Sequence, residues 1–128
     1  MTPLELLDKA ERALASARLL LDAGDVDGAC NRAYYAMFDA ARARLLDSGF
    51  ADVETIKTHS GLITAFSLHL VKAGAVSIDL GKSLNRIADI RLIADYTADE
   101  VSQLDAADAV SQAVVFVETM RKAIKDGA

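Results

Sequence analysis

The sequence predicts an all-α protein, a single up-and-down bundle of about five helices filling residues 1–128. Proline occurs once, at Pro3, in a chain of 128 residues. Hydrophobic residues make up 52%, with alanine, leucine and charged residues prominent, a composition that favours helix. Apolar residues recur at three- and four-residue spacing, and no segment alternates apolar with polar as a half-buried strand does. No repeat, low-complexity stretch or long linker divides the chain.

The first helix opens at "TPLE", with Thr2 as N-cap, Pro3 in the first turn and Glu5 closing a capping box. Leu7, Ala10, Leu14, Ala17 and Leu21 form its inner stripe, and "DAGD" at 22–25 ends it. Asp25 caps a long second helix running to about Asp47, where Gly49 supplies the stop. Its inward positions are Val26, Cys30, Ala33, Met37, Ala41 and Leu45. After a loop at 49–57, a third helix is expected from near Thr58 to Gly74, with Ile63, Phe66 and Leu70 inward. The fourth follows Ser77 and carries Leu80, Leu84, Ile87, Ile90 and Ala94. A short connection, "YTADEV" at 96–101, leads to Ser102 and Asp105, a second capping pair. Val110, Val114, Val117 and Ile124 line the last helix, while Val115 and Phe116 fall off its stripe. Apolar residues in that position point to a homodimer that covers them.

Composition removes several function classes. No apolar run approaches the roughly 18–20 residues a spanning helix needs. The acidic, amphipathic start "MTPLELLDKAERA" lacks the pattern of an export signal. The lone cysteine, Cys30, leaves no internal disulfide and fits a reducing compartment, so the expected location is cytoplasmic. A net charge of −5 disfavours broad binding to nucleic acid but permits a local basic site. His59 and His69 lie ten residues apart, roughly 80° around one helix and two to three turns distant, so they do not share an ion. Neither shows zinc-helix spacing. No metal and no cofactor is expected. The "GK" at 81–82 has no upstream glycine at P-loop spacing, and Cys30 on an apolar stripe reads as an inert thiol.

Three polar clusters remain. Arg32, Tyr35 and Asp39 share a face of the second helix. "KTHSG" at 57–61 sets Lys57, hydroxyls and His59 at a helix start, where free N–H groups favour anions. "LNRIADIRLIADY" at 84–96 spaces Asn85 with Asp89 and Arg91 with Asp95, followed by Tyr96. Leu84, Ile87 and Arg91 fall on one stripe, which sets the arginine near the buried side. Arg32, Tyr35, Lys57 and Arg86 are the candidates for contact with nucleotide or RNA.

"NRAYYAMFDAARARL" at 31–45, "KTHSGLITAF" at 57–66 and "IRLIADY" at 90–96, in this order and spacing, resemble the small bacterial and archaeal branch of the HEPN superfamily (higher eukaryotes and prokaryotes nucleotide-binding). The resemblance covers about residues 4 to 124. It implies a helical bundle, commonly a homodimer, often paired with a minimal nucleotidyltransferase as toxin and antitoxin. Many such proteins are metal-independent RNases in which an Arg is followed, after four to six residues, by a His. There the His helps activate the ribose 2′-OH and the Arg stabilises charge on phosphate.

This chain departs from that pattern. The positions that would carry the Arg before His59 are Asp52, Val53 and Glu54, and before His69 they are Leu62, Ile63 and Thr64. The counterpart is Arg91 with Asp95 and Tyr96. An ordinary carboxylate is a poor stand-in for imidazole near neutral pH and repels phosphate. The resemblance therefore implies a module that binds a nucleotidyltransferase and nucleotide or RNA without the standard RNase activity. The alternative is a divergent metal-independent RNase using Arg91, Asp95 and His59; a third is a regulatory bundle with a different partner. Tyr96 matches the place of a tyrosine that accepts adenylyl groups in such pairs. Asn31, Arg32, Tyr34 and Tyr35 are expected to support helix contacts around Arg91.

Overall fold

A computed structural model describes residues 1–50, 53, 55–97 and 101–126. It contains five helices: α1 (Pro3–Asp22), α2 (Val26–Asp47), α3 (His59–Phe66), α4 (Ile78–Tyr96) and α5 (Gln103–Asp126). Among the described residues there is no strand. Parts of the expected loop at 49–57 (51, 52 and 54) and of the connection at 96–101 (98–100) lie outside the described residues.

Each helix begins where a short polar side chain satisfies a free N–H group. Thr2 accepts from the Glu5 N–H at 3.1 Å while the Glu5 carboxylate accepts from the Thr2 N–H at 2.9 Å. Asp25 accepts from Gly28 N–H at 2.9 Å, and a side chain at Gly28 would run into that carboxylate. Thr58 accepts from Gly61 at 2.9 Å, Ser77 from Leu80 at 3.2 Å and Ser102 from Asp105 at 3.0 Å. Gly24 and Gly49, with φ of +86° and +93°, follow the ends of α1 and α2 in the left-handed region that suits glycine.

Helix α2 is the spine. Its buried residues extend almost all the way round, among them Ala29, Cys30, Tyr34, Met37, Ala40 and Leu45, because α1, α4 and α5 all pack against it. Many of these are alanines, which lets the helix axes approach closely. Helix α1 presents Leu6, Leu7, Ala10, Ala13, Leu14 and Ala17 to the same core. Helix α4 is more lightly held: its fully buried residues are Leu84, Ile87 and Arg91.

Two expectations need correction. The third helix does not run unbroken to Gly74: α3 ends at Phe66 and Ser67–Val71 form a π-helical turn, closed by the Lys72 N–H donating to the Ser67 carbonyl at 2.9 Å. That i to i+5 bond lets Leu70 stay in the core while the chain turns toward α4. Phe116 is not surplus surface. It is fully buried, its ring 5.6 Å from that of Phe66, whereas Val115 beside it is exposed.

Candidate functional site

Two adjacent tyrosines on α2 point in directions about 100° apart, and each meets a different partner. Tyr34 turns inward, 1% exposed, and its hydroxyl lies 2.7 Å from Nδ1 of His59, the first residue of α3. Tyr35 stays half-buried and its hydroxyl accepts from Nη1 of Arg91 on α4 at 3.5 Å. The His59 ring packs among Tyr34, Tyr35 and Phe38, with centroids 5.3, 5.7 and 5.0 Å away.

Arg91 is 5% exposed, unusual for an arginine, and the aromatic rings explain why it is tolerated. Its guanidinium carbon lies 5.0 Å from the Tyr34 ring centre, 5.8 Å from that of Tyr35 and 5.7 Å from that of Tyr96. Nε is 3.5 Å from the Asp95 carboxylate one turn on. Asn31 of α2 donates to both oxygens of Asp95, at 3.0 and 3.3 Å. Arg91 belongs to the wall of a cleft of about 320 Å³ between α3 and α4, lined by Tyr34, His59, Ser60, Asn85 and Asp89 among others.

Burial pushes the Tyr34 phenol up to about 12, against the pull of the Arg91 charge. Burial also lowers the His59 imidazole, and the nearby Arg91 charge lowers it further. The Tyr34 hydroxyl and His59 Nδ1 share one hydrogen bond, in which the imidazole tautomer decides which of the two donates. Burial works against the Arg91 charge, but Tyr35, Asp95 and Tyr34 together outweigh it and hold the guanidinium above its ordinary value. The cleft therefore offers a fixed cation, suited to phosphate oxygens, beside an imidazole whose protonation is disfavoured. Asp95 is occupied by Asn31 and Arg91, which is how a carboxylate is positioned as a brace.

Of the residues singled out in the sequence, Arg91 and His59 line this cleft, and Asp95, Tyr35 and Tyr96 contact Arg91 without lining it. Asn31, Tyr34 and Tyr35 do support the contacts of Arg91, and Arg32 lies with its guanidinium carbon 5.8 Å from the Tyr35 ring. Asp39 leaves the group: it is buried, paired with Arg42 at 3.8 Å, and its carboxyl is raised by burial against the pull of Lys9, Arg42 and Arg32. Asn85 does not bond Asp89 but donates to the Gly81 carbonyl at 3.1 Å; both side chains line the cleft. Lys57 is exposed ahead of α3 and does not line the cleft. Arg86 is engaged with Asp108 on α5 and is not among the lining residues either. The Tyr34–His59 bond spans 25 residues of sequence and has no local signal; the adjacent tyrosines were its nearest hint.

Among the described residues no group of His, Cys, Asp and Glu is arranged to hold a metal ion, and no helix is long and apolar enough to cross a membrane. Cys30 is fully buried, and burial pushes its thiol up to about 11.

The chain is similar to known proteins along most of its length. The HEPN domain model matches residues 4–123. A Gloeobacter violaceus protein named UPF0332 protein glr0978 is 37% identical over 122 residues, covering 92% of this chain and 94% of that one. A Methanocaldococcus jannaschii protein named "Putative toxin MJ0605" is 32% identical over 121 residues, covering 94% and 87%. A UPF0332 protein of Archaeoglobus fulgidus is 35% identical over 126 residues, covering 97% of both. A five-helix architecture and a match that runs from α1 into α5 lead to one conclusion: the chain belongs to the HEPN family.

Proposed function

We propose that this protein is the RNA- or nucleotide-binding, toxin-type half of a cytoplasmic pair whose other half is a minimal nucleotidyltransferase, and that it holds phosphate in the α3–α4 cleft without the standard RNase chemistry. One observation carries the reading: Arg91 and His59, 32 positions apart, line a single cleft, which sets a fixed cation beside an imidazole whose protonation is disfavoured. The Methanocaldococcus jannaschii relative named "Putative toxin MJ0605" supports the toxin side. Tyr96, 74% exposed at the end of α4, is accessible to a partner enzyme and is the candidate adenylyl acceptor. A homodimer is part of the reading, since exposed Leu19, Ile93, Leu104 and Val115 leave apolar surface for a second copy to cover.

The second reading, a divergent metal-independent RNase, is favoured by the same meeting of Arg91 with His59. Asp95, however, is already braced by Asn31 and paired with Arg91, which favours holding phosphate over removing a proton from a 2′-OH.

The deciding experiment measures binding and cleavage of single-stranded RNA in EDTA for the wild type, Arg91→Gln and His59→Gln, each checked for folding by circular dichroism. Binding without cleavage, weakened about tenfold or more in Arg91→Gln, is expected; loss of one charge-assisted phosphate contact is worth that much. Cleavage that survives EDTA and vanishes in both variants would establish the RNase reading. Absence of binding to either RNA or mononucleotide would overturn the cleft as a phosphate site.

A further inference from the structure

The cleft does not stop at His59 and Arg91. A second hollow of about 320 Å³, lined by Ile63, Thr64, Ser67, Leu68, Lys72 and Asn85, shares Ile63, Thr64 and Asn85 with the first. Through these shared residues the two hollows adjoin as a groove along the α3–α4 junction, with Arg91 and His59 lining the first part and Lys72 the second. From His59 to Lys72 the helical rise amounts to about 20 Å, room for up to about six stacked nucleotides at roughly 3.4 Å each.

The π-helical turn is what brings Lys72 into this groove. In an unbroken α-helix Lys72 would stand roughly 80° round from Thr64. A turn closed by i to i+5 bonds holds more residues, and over Ser67–Val71 it sets the following side chains back by roughly 70°. Lys72 therefore falls on the Thr64 face. Helix α4 closes against this turn at Gly81, where a Cβ would stand 3.0 Å from a Val71 methyl carbon, so only a very small residue permits the approach.

We infer that the groove is a binding track for a single strand of RNA several nucleotides long, with one phosphate on Arg91 and His59 and a second, separate phosphate subsite at Lys72. The inference rests on the reading of the cleft as a phosphate site and extends it to substrate class. Cations at both ends complement backbone phosphates, while the middle is of another character. Thr64 and Ser67 offer hydroxyls, Asn85 an amide, and Ile63, Leu68 and Leu92 apolar surface for base faces. Asp89 on the α4 wall disfavours a phosphate directly beside it and is an acceptor for a 2′-OH or an exocyclic amine, so the strand would turn sugars or bases toward it there.

The test is fluorescence anisotropy or calorimetry with AMP, a trinucleotide, a hexanucleotide and a dodecanucleotide of single-stranded RNA, each titrated at several salt concentrations. Lys72→Ala, Lys72→Glu and, as control, Lys122→Ala on the outer side of α5 are compared with the wild type. Affinity is expected to rise to about the hexanucleotide and then level off. Lys72→Ala is expected to weaken the hexanucleotide roughly five- to tenfold and to reduce the salt slope by about 0.7, with AMP unaffected. Lys72→Glu should weaken it more and Lys122→Ala not at all. If AMP binds through Arg91 and the hexanucleotide binds no better, the phosphate site stands and the track is overturned. The track is equally overturned if the hexanucleotide gains affinity that Lys72→Ala leaves intact. If neither ligand binds the wild type, the underlying phosphate site falls, and the track with it.

Discussion

Tyr34 is a core residue by burial and a cleft residue by contact, its ring under the Arg91 guanidinium and its hydroxyl on His59. The imidazole thus sits where solvation is poor and a positive charge is close, and both conditions disfavour its protonation. An NMR titration should find His59 below the ordinary histidine value of about 6.5. Removing the charge in Arg91→Gln should move it back upward; a wild-type value at or above the ordinary one would refute the arrangement. The sign of the stability effect follows. In the unfolded chain the ring takes up its proton at higher pH than in the folded one. As pH falls below about 6.5 toward the folded value, the folded state loses stability, and above about 6.5 this ring contributes no pH dependence. Asp39 behaves in the opposite sense, since its raised carboxyl favours folding at low pH and that contribution fades as pH rises.

At the scale of single elements, the start of α3 aims the imidazole. Thr58 caps the helix through the Gly61 N–H, and a side chain at Gly61 would crowd the Thr58 hydroxyl at 2.8 Å. Thr58→Ala should cost about 1 kcal/mol in urea denaturation, whereas Thr58→Ser should cost a few tenths. Such features are legible without a structure because they are local: a hydroxyl and an N–H three residues apart are enough. All five helix starts follow this rule, from Thr2 to Ser102. The π-helical turn is different. "SLHLV" has good helix formers and no breaker, and the extra residue is imposed by packing that keeps Leu70 inside while Gly81 closes on Val71. Arg91 could be placed near the buried side from its stripe with Leu84 and Ile87. Its pairing in one cleft with His59 could not, because helix periodicity says which face is inward and not which helix lies opposite.

For the molecule as a whole, one continuous set of buried side chains joins all five helices, and Phe116 shows how far it extends. Periodicity along α5 left Phe116 outside the stripe, but α5 is flanked by α1, α2 and α4, so more than one of its faces is covered. Phe116→Ala should cost about 3–5 kcal/mol, read from chemical denaturation as a shifted midpoint with an unchanged slope. A loss under 1 kcal/mol would mean that the Phe66–Phe116 contact is peripheral.

The light anchoring of α4 carries a last consequence. Of its three fully buried side chains, two are the hydrocarbons Leu84 and Ile87, and the third is Arg91 itself. The group that would grip a ligand is therefore also a bolt that keeps its own helix seated. Seating and occupancy would then be linked reciprocally: a bound phosphate would stabilise the docked helix, and any undocking of the helix would dilute the competent fraction. A chain whose α4 was seated only about a tenth of the time would bind about tenfold more weakly, with every contact to the ligand unchanged. On the proposed reading, affinity in this cleft would thus be tuned partly by Leu84 and Ile87, two residues that do not line it.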